Sequence, residues 1–114
     1  MIELHQRQCV ACKLGQPALT SSEVEGLNKQ IPQWEVLHES GILKLRREYP
    51  FDDFVSALAF TNMVGEMSES ANHHPDILTQ WGMVTLTWWS HKIKGLHQND
   101  FIMAAKSDVL FHSS

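Results

Sequence analysis

Apolar and polar residues alternate along this chain with two different periods, and the switches between them mark its elements. Trp34, Val36 and His38 alternate with Glu35, Leu37 and Glu39; beyond Ser40-Gly41, Leu43, Leu45 and Tyr49 alternate with Lys44, Arg46 and Glu48. A period of two sends successive side chains to opposite faces, so this stretch reads as a β-hairpin turning at Ser40-Gly41. After Pro50 the period changes. Phe54, Ala57, Phe60, Val64, Met67 and Ala71 recur at gaps of three and four, which predicts a helix of about five turns capped by Asp52 or Asp53. Val55, Leu58, Ala59 and Met63 widen its apolar face, so the helix should be covered on more than one side, by a sheet and by another element or subunit. Pro75 ends it by His74, because a residue before proline is pushed out of the helical region. A second hairpin is expected from Ile77–Gln80, a turn at Trp81-Gly82, and Met83–Trp89 with Val84, Leu86 and Trp88 on one face and Thr85, Thr87 and Trp89 on the other. Beyond Gly95, a last helix from about Gln98 places Phe101, Ile102, Ala105 and Val109 along one side and frays at His112-Ser113-Ser114. Ahead of all these, Thr20-Ser21-Ser22 with Glu23 and Glu25 start a helix running to about Gln30, before Pro32. Residues 1–19 show no period and include Gly15 and Pro17, so they read as an extended or loosely docked arm.

The order is α-β-β-α-β-β-α. Two hairpins joined by a long helix can form one four-stranded antiparallel sheet with three helices on one face, an α+β fold. A length of 114 residues suits one domain, here residues 20–114 behind an N-terminal arm of residues 1–19. Such a sheet keeps one face free, and a surface left open on so small a chain is a place for a second subunit or for a ligand at the rim, so a homodimer or homotetramer is expected. Composition then narrows the function. With 43% apolar and 19% charged residues the chain is a soluble globular domain, and its net charge of −4 has the wrong sign for holding nucleic-acid phosphates. The longest apolar run, Phe101–Ala105, falls far short of the roughly 20 residues that cross a bilayer, and the N-terminus shows no basic-then-apolar signal pattern. The expectation is a cytoplasmic protein without a membrane or nucleic-acid partner, whose two cysteines, Cys9 and Cys12, stay reduced.

Chemistry concentrates in the second half. Four of the seven histidines, His73, His74, His91 and His97, fall there within 25 residues, beside Glu69, Asp76, Asp100 and the tryptophans Trp81, Trp88 and Trp89. His73 and His74 sit where the long helix ends and His91 where the last strand ends, and a hairpin returns the chain to the level at which it began, so these three rings can converge. Imidazoles titrating near neutrality suit general acid and base catalysis. They also suit zinc, but adjacent His73-His74 cannot easily aim both rings at one ion, and His5-x3-Cys9-x2-Cys12 lacks the second pair a structural site needs. The alternative for each histidine is a helix-terminal cap or a packing role, and for each tryptophan a strand residue in core or interface. Asp100 in isolation reads as a charge at the start of the last helix.

Taken together, Glu69-x3-His73-His74-Pro75, the aromatic Trp81, His91 and Asp100 resemble the signature of the pterin-4a-carbinolamine dehydratases. Ala59-Phe60, Gly95-Leu96 and the element order are similar to that family from about Leu19 to Val109, and the arm and the stretch Thr87-Trp88-Trp89-Ser90-His91 resemble its bacterial branch. The resemblance implies a dehydratase, free of metal and of cofactor, that converts 4a-hydroxytetrahydropterin, the carbinolamine left by aromatic amino acid hydroxylases such as phenylalanine hydroxylase, to quinonoid dihydropterin and water. It implies His73, His74 and His91 as catalytic residues and Glu69, Trp81 and Asp100 as substrate-binding residues. Animal members also serve as dimerisation cofactors of a homeodomain transcription factor, a role for which this chain offers no partner.

Overall fold

In the computed structural model, which describes residues 3–10 and 16–113, each expected element is present. Helix α1 spans Ser21–Asn28, two residues shorter than the pattern suggested. Thr20 and Glu23 close a capping box at its start: the Thr20 hydroxyl accepts the Glu23 N–H at 3.3 Å and the Glu23 carboxylate accepts the Thr20 N–H at 2.9 Å. Strands β1 (Glu35–Glu39) and β2 (Ile42–Pro50) form the first hairpin. Ser40 and Gly41 both take positive φ, 53° and 78°, the tight turn whose twist matches the strands on either side. Helix α2 runs Phe54–Ala71, capped by Asp53, which accepts the Ser56 N–H at 2.8 Å. Strands β3 (Asp76–Gln80) and β4 (Met83–Trp88) form the second hairpin, and α3 covers Gln98–Ser113. Helix α3 runs through His112 and Ser113, where the pattern suggested fraying. Ser113 still bonds back to the Val109 carbonyl at 2.9 Å, and Ser114 lies outside the described residues.

The sheet order is β1-β2-β4-β3, antiparallel throughout, with Tyr49 opposite Val84 and Leu45 opposite Trp88 where the hairpins meet. Leu45, Tyr49, Val84, Leu86 and Trp88 are fully buried beneath α2 and α3, against Ala57, Phe60, Val64, Phe101 and Met103, and Val24 brings α1 into the same core. The opposite sheet face is mixed, with Leu37, Ile42, Leu78 and Met83 sharing it with charged side chains. Lys44, Arg46 and Glu48 occupy it on β2, with Glu39 of β1 bonded to Lys44 at 3.2 Å and Arg46 at 2.8 Å, and Thr87 of β4 accepting from Arg46 at 2.9 Å. Leu78 is exposed on this face, and further exposed apolar side chains lie at Phe54, Val55 and Leu58 on α2 and at Trp81 in the second turn.

The arm is also more firmly held than its lack of period implied. Leu4, in a single 3₁₀ turn (Leu4–Gln6) packed on α3, is 3% exposed and belongs to the core. Farther along, the Leu19 N–H bonds to the Leu96 carbonyl at 2.9 Å, and Ala18 approaches Gly95 so closely that a Cβ there would lie 2.9 Å from the Ala18 Cβ. Cys12 and Gly15 lie outside the described residues.

Candidate active site

The site forms where α2 ends, β4 ends and α3 begins. Asn72, the last residue before the histidines, adopts the left-handed conformation (φ 53°, ψ 41°), and the His73 N–H reaches back to the Ser68 carbonyl at 3.1 Å. This stop, followed at once by Pro75, turns His73 and His74 out of the helix toward β3. At the other edge the chain leaves β4 at Trp88 and makes a tight loop pinched by a bridge between Ser90 and Gly95, with the Ser90 N–H on the Gly95 carbonyl at 2.9 Å. His91 stands on that loop, beyond the strand end the pattern assigned it, and its ring meets Trp89 edge-on at 4.3 Å. His73, His74 and His91 thereby line one open cleft of about 440 Å³, together with Asn72, Trp89, Ser90 and Lys92.

Asp100 lies beneath this cleft. It is fully buried in the first turn of α3, where its Oδ2 accepts the Ser90 hydroxyl at 2.8 Å and the His97 N–H at 2.9 Å. Its Oδ1 meets His73 Nε2 at 2.6 Å. With both partners at Oδ2 donating, Asp100 acts as acceptor, and the proton of the His73 ring belongs on Nε2. That leaves Nδ1 as the ring's acceptor. Trp88, fully buried, lies parallel to the His73 ring at 5.7 Å and fixes its plane; its indole N–H has no acceptor among the described residues. His97 is buried too. Desolvation holds it below the ordinary histidine range, against an opposing pull from Asp100, and its Nδ1 accepts the Asn99 N–H at 3.0 Å. Asp100 is thus fully buried behind His73, and its contact with the cleft runs through the His73 ring and Ser90.

The remaining candidates separate. Glu69, on the last turn of α2, meets His74 Nε2 at 2.8 Å at the exposed rim. Trp81 is not at the cleft. It sits 69% exposed in the turn at the far end of the hairpin, roughly 17 Å of strand away by the length of β3, so this chain does not bring it to the histidines. Two lining residues went unanticipated, Cys9 and Val10 of the arm. Only tertiary packing brings them there, over a sequence separation no local pattern spans. Among the described residues no group of three or more His, Cys, Asp or Glu side chains is arranged to hold a metal ion.

A sheet backed by helices, with a carboxylate-bonded imidazole and two other imidazoles at one cleft, defines a small α+β domain. Comparison with known proteins makes the class specific. The profile of the family described as pterin 4 alpha carbinolamine dehydratase matches residues 17–110. A protein of Nitrosococcus oceani, provisionally named pterin-4-alpha-carbinolamine dehydratase, is 51% identical over 96% of this chain and 97% of its own; one of Syntrophotalea carbinolica with the same provisional name is 50% identical over 96% and 98%. The crystal structure of a transcriptional coactivator/pterin dehydratase from Brucella melitensis superposes with a TM-score of 0.75 at 26% identity, covering 82% of this chain and 97% of that one. A pterin dehydratase-like protein identified as a RuBisCO assembly factor of the alpha-carboxysome shares the fold, with a TM-score of 0.60 at 22% identity over 72% and 93%. The chain belongs to the pterin-4-alpha-carbinolamine dehydratase family.

Proposed function

We propose that this protein dehydrates a pterin-4a-carbinolamine by histidine acid–base catalysis. The observation that carries the reading is the convergence of His73, His74 and His91 on one cleft with Asp100 buried behind His73. The reaction breaks the C4a–O bond. An acid gives a proton to the departing oxygen, which leaves as water, while a base takes the proton of a ring N–H and that electron pair becomes the new C=N bond of the quinonoid dihydropterin. Nothing is oxidised or reduced. His73, with Nε2–H tied to Asp100, offers Nδ1 as the base; His91, exposed on its loop, serves as the acid; His74, held by Glu69 at the rim, binds the pterin. Trp89, fixed between His91 and the Lys44 ammonium 4.1 Å from its ring, supplies a flat wall for a flat heterocycle.

The finer parts of the reading follow from what produces such a substrate. Aromatic amino acid hydroxylation generates such a carbinolamine, which supports phenylalanine hydroxylase as the functional neighbour and a tetrahydropterin such as tetrahydrobiopterin as the substrate, acting in the cytoplasm. Exposed Phe54, Val55, Leu58 and Trp81 support a homodimer or homotetramer in which a second copy covers them, and light scattering at micromolar concentration distinguishes this from a 13.0 kDa particle. The deciding experiment follows the decay of freshly generated 4a-carbinolamine with and without the protein, after subtraction of the spontaneous rate. Acceleration supports the dehydratase, and none leaves a non-catalytic binding module. Dialysis against a strong chelator should leave the rate unchanged, since adjacent histidines chelate poorly; a loss restored by zinc would replace the acid–base reading with a metal one.

A further inference from the structure

The N-terminal arm lies outside the matched family domain, which begins at residue 17, yet two of its side chains face the cleft. The arm is pinned at two points. Leu4 is buried in the core at one end, and at the other the Asn99 carboxamide clasps the backbone of Val10: the Val10 N–H donates to Oδ1 at 2.9 Å, and Nδ2 donates to the Val10 carbonyl at 2.6 Å. Asn99 is 2% exposed, and its side chain engages a backbone donor and a backbone acceptor of one residue together, the pairing an amide offers and an acid or an alkyl group cannot. Between the two pins runs the stretch that ends in Cys9 and Val10. Val10, one of the residues lining the cleft, is 62% exposed. Asn99 also adjoins Asp100 in the first turn of α3. One residue bonds His73, and its neighbour holds the arm segment that lines the same cleft.

Resting on the dehydratase reading, we propose that Asn99 is a positioning residue that docks the arm as a wall of the active site, and that Cys9 and Val10 contact the pterin there. A wall that takes no part in proton transfer stabilises ground and transition states alike. Its loss raises KM and spares kcat, the reverse of losing an acid or base.

The test replaces Asn99→Ala in the full chain and reads three quantities: hydrogen exchange of residues 4–10, the KM and kcat of carbinolamine dehydration, and the alkylation rate of Cys9 in a Cys12→Ser background with and without biopterin. The expected result is faster exchange in the arm, KM raised by about tenfold with kcat within about twofold, the scale of one lost apolar contact in a pocket. Biopterin should slow Cys9 alkylation in the parent and fail to do so in Asn99→Ala. Should Asn99→Ala not fold, Val10→Pro removes the Val10 donor while leaving α3 intact, and the same shift in KM is expected. Released exchange with unchanged KM and unchanged protection overturns the proposal, as does a fall in kcat without a rise in KM. If the parent protein itself fails to accelerate dehydration, the function has failed rather than the wall, because exchange and biopterin protection report on the arm without turnover.

Discussion

The proton on His73 is a property of Asp100, and a single change tests it. In Asp100→Asn the carbonyl oxygen must stay with Ser90 and His97, so the amide NH2 faces His73 Nε2 and forces that nitrogen to accept. The proton moves to Nδ1, and the ring turns into a donor where the proposed dehydration calls for an acceptor. We expect kcat to fall roughly 10²-fold or more, as for His73→Ala and His91→Ala, while His74→Ala mainly raises KM; near wild-type kcat in folded Asp100→Asn would refute the tautomer argument. His97 gives a pH signature. Burial lowers its folded value below the unfolded one, so the unfolded chain takes up the proton first as pH falls, and protonating the folded ring costs the Asn99 N–H bond to Nδ1. Stability should therefore be full above about pH 6.5 and decline as pH drops below it. His97→Gln should flatten this slope between pH 7.5 and 5.5 in thermal melts; an unchanged slope would assign the acid sensitivity to other groups.

Elements deliver these residues through their ends. Asn72 stops α2 in a left-handed conformation that asparagine tolerates and glycine adopts freely, so Asn72→Gly should keep both stability and activity, whereas Asn72→Val should cost about 1–2 kcal/mol in denaturant unfolding and misdirect His73. Asp53→Ala, which uncaps the other end of α2 far from the cleft, should cost about 1 kcal/mol and leave kcat alone. Signals of this local kind were readable in the chain: the Ser40-Gly41 turn, the Asp53 cap, and the Pro75 stop each act within a few residues. The convergence of His73, His74 and His91 was also readable, because a hairpin has a fixed geometry. What was not readable depends on pairs distant in sequence. Asn99 looks like any polar residue near a helix start, and its bond partner Val10 lies 89 positions away. Leu4 has no periodic neighbours to reveal its burial, and Trp81 fits a signature by spacing while its place in the turn carries it to the far end of the hairpin.

At the scale of the whole molecule, the helix that carries Asn99 and Asp100 is anchored at its other half by Asp108, roughly 12 Å along its axis. Asp108 accepts from the Trp34 indole at 3.0 Å, from Arg47 at 2.7 Å and from the Tyr49 hydroxyl at 2.5 Å, joining α3 to the loop before β1 and to the core-facing row of β2. Arg47 interrupts the apolar alternation of that row, and Asp108 is what makes a cation tolerable there. Burial, reinforced by the Asp108 charge, pushes the Tyr49 phenol well above its ordinary range, so it remains a donor wherever the protein is folded. Removing the carboxylate strands three donors in a largely buried place, and Asp108→Ala should therefore cost about 2–3 kcal/mol. A melting temperature lowered by roughly 10 °C would express that loss. Asp108→Asn keeps an acceptor and should lose less. Because the cleft is built at the opposite end of α3, both variants should retain kcat and KM at temperatures where they remain folded. A variant that stayed folded but lost turnover would show that the far end of α3 sets the geometry at Asp100, and that site and scaffold are not separable along this helix.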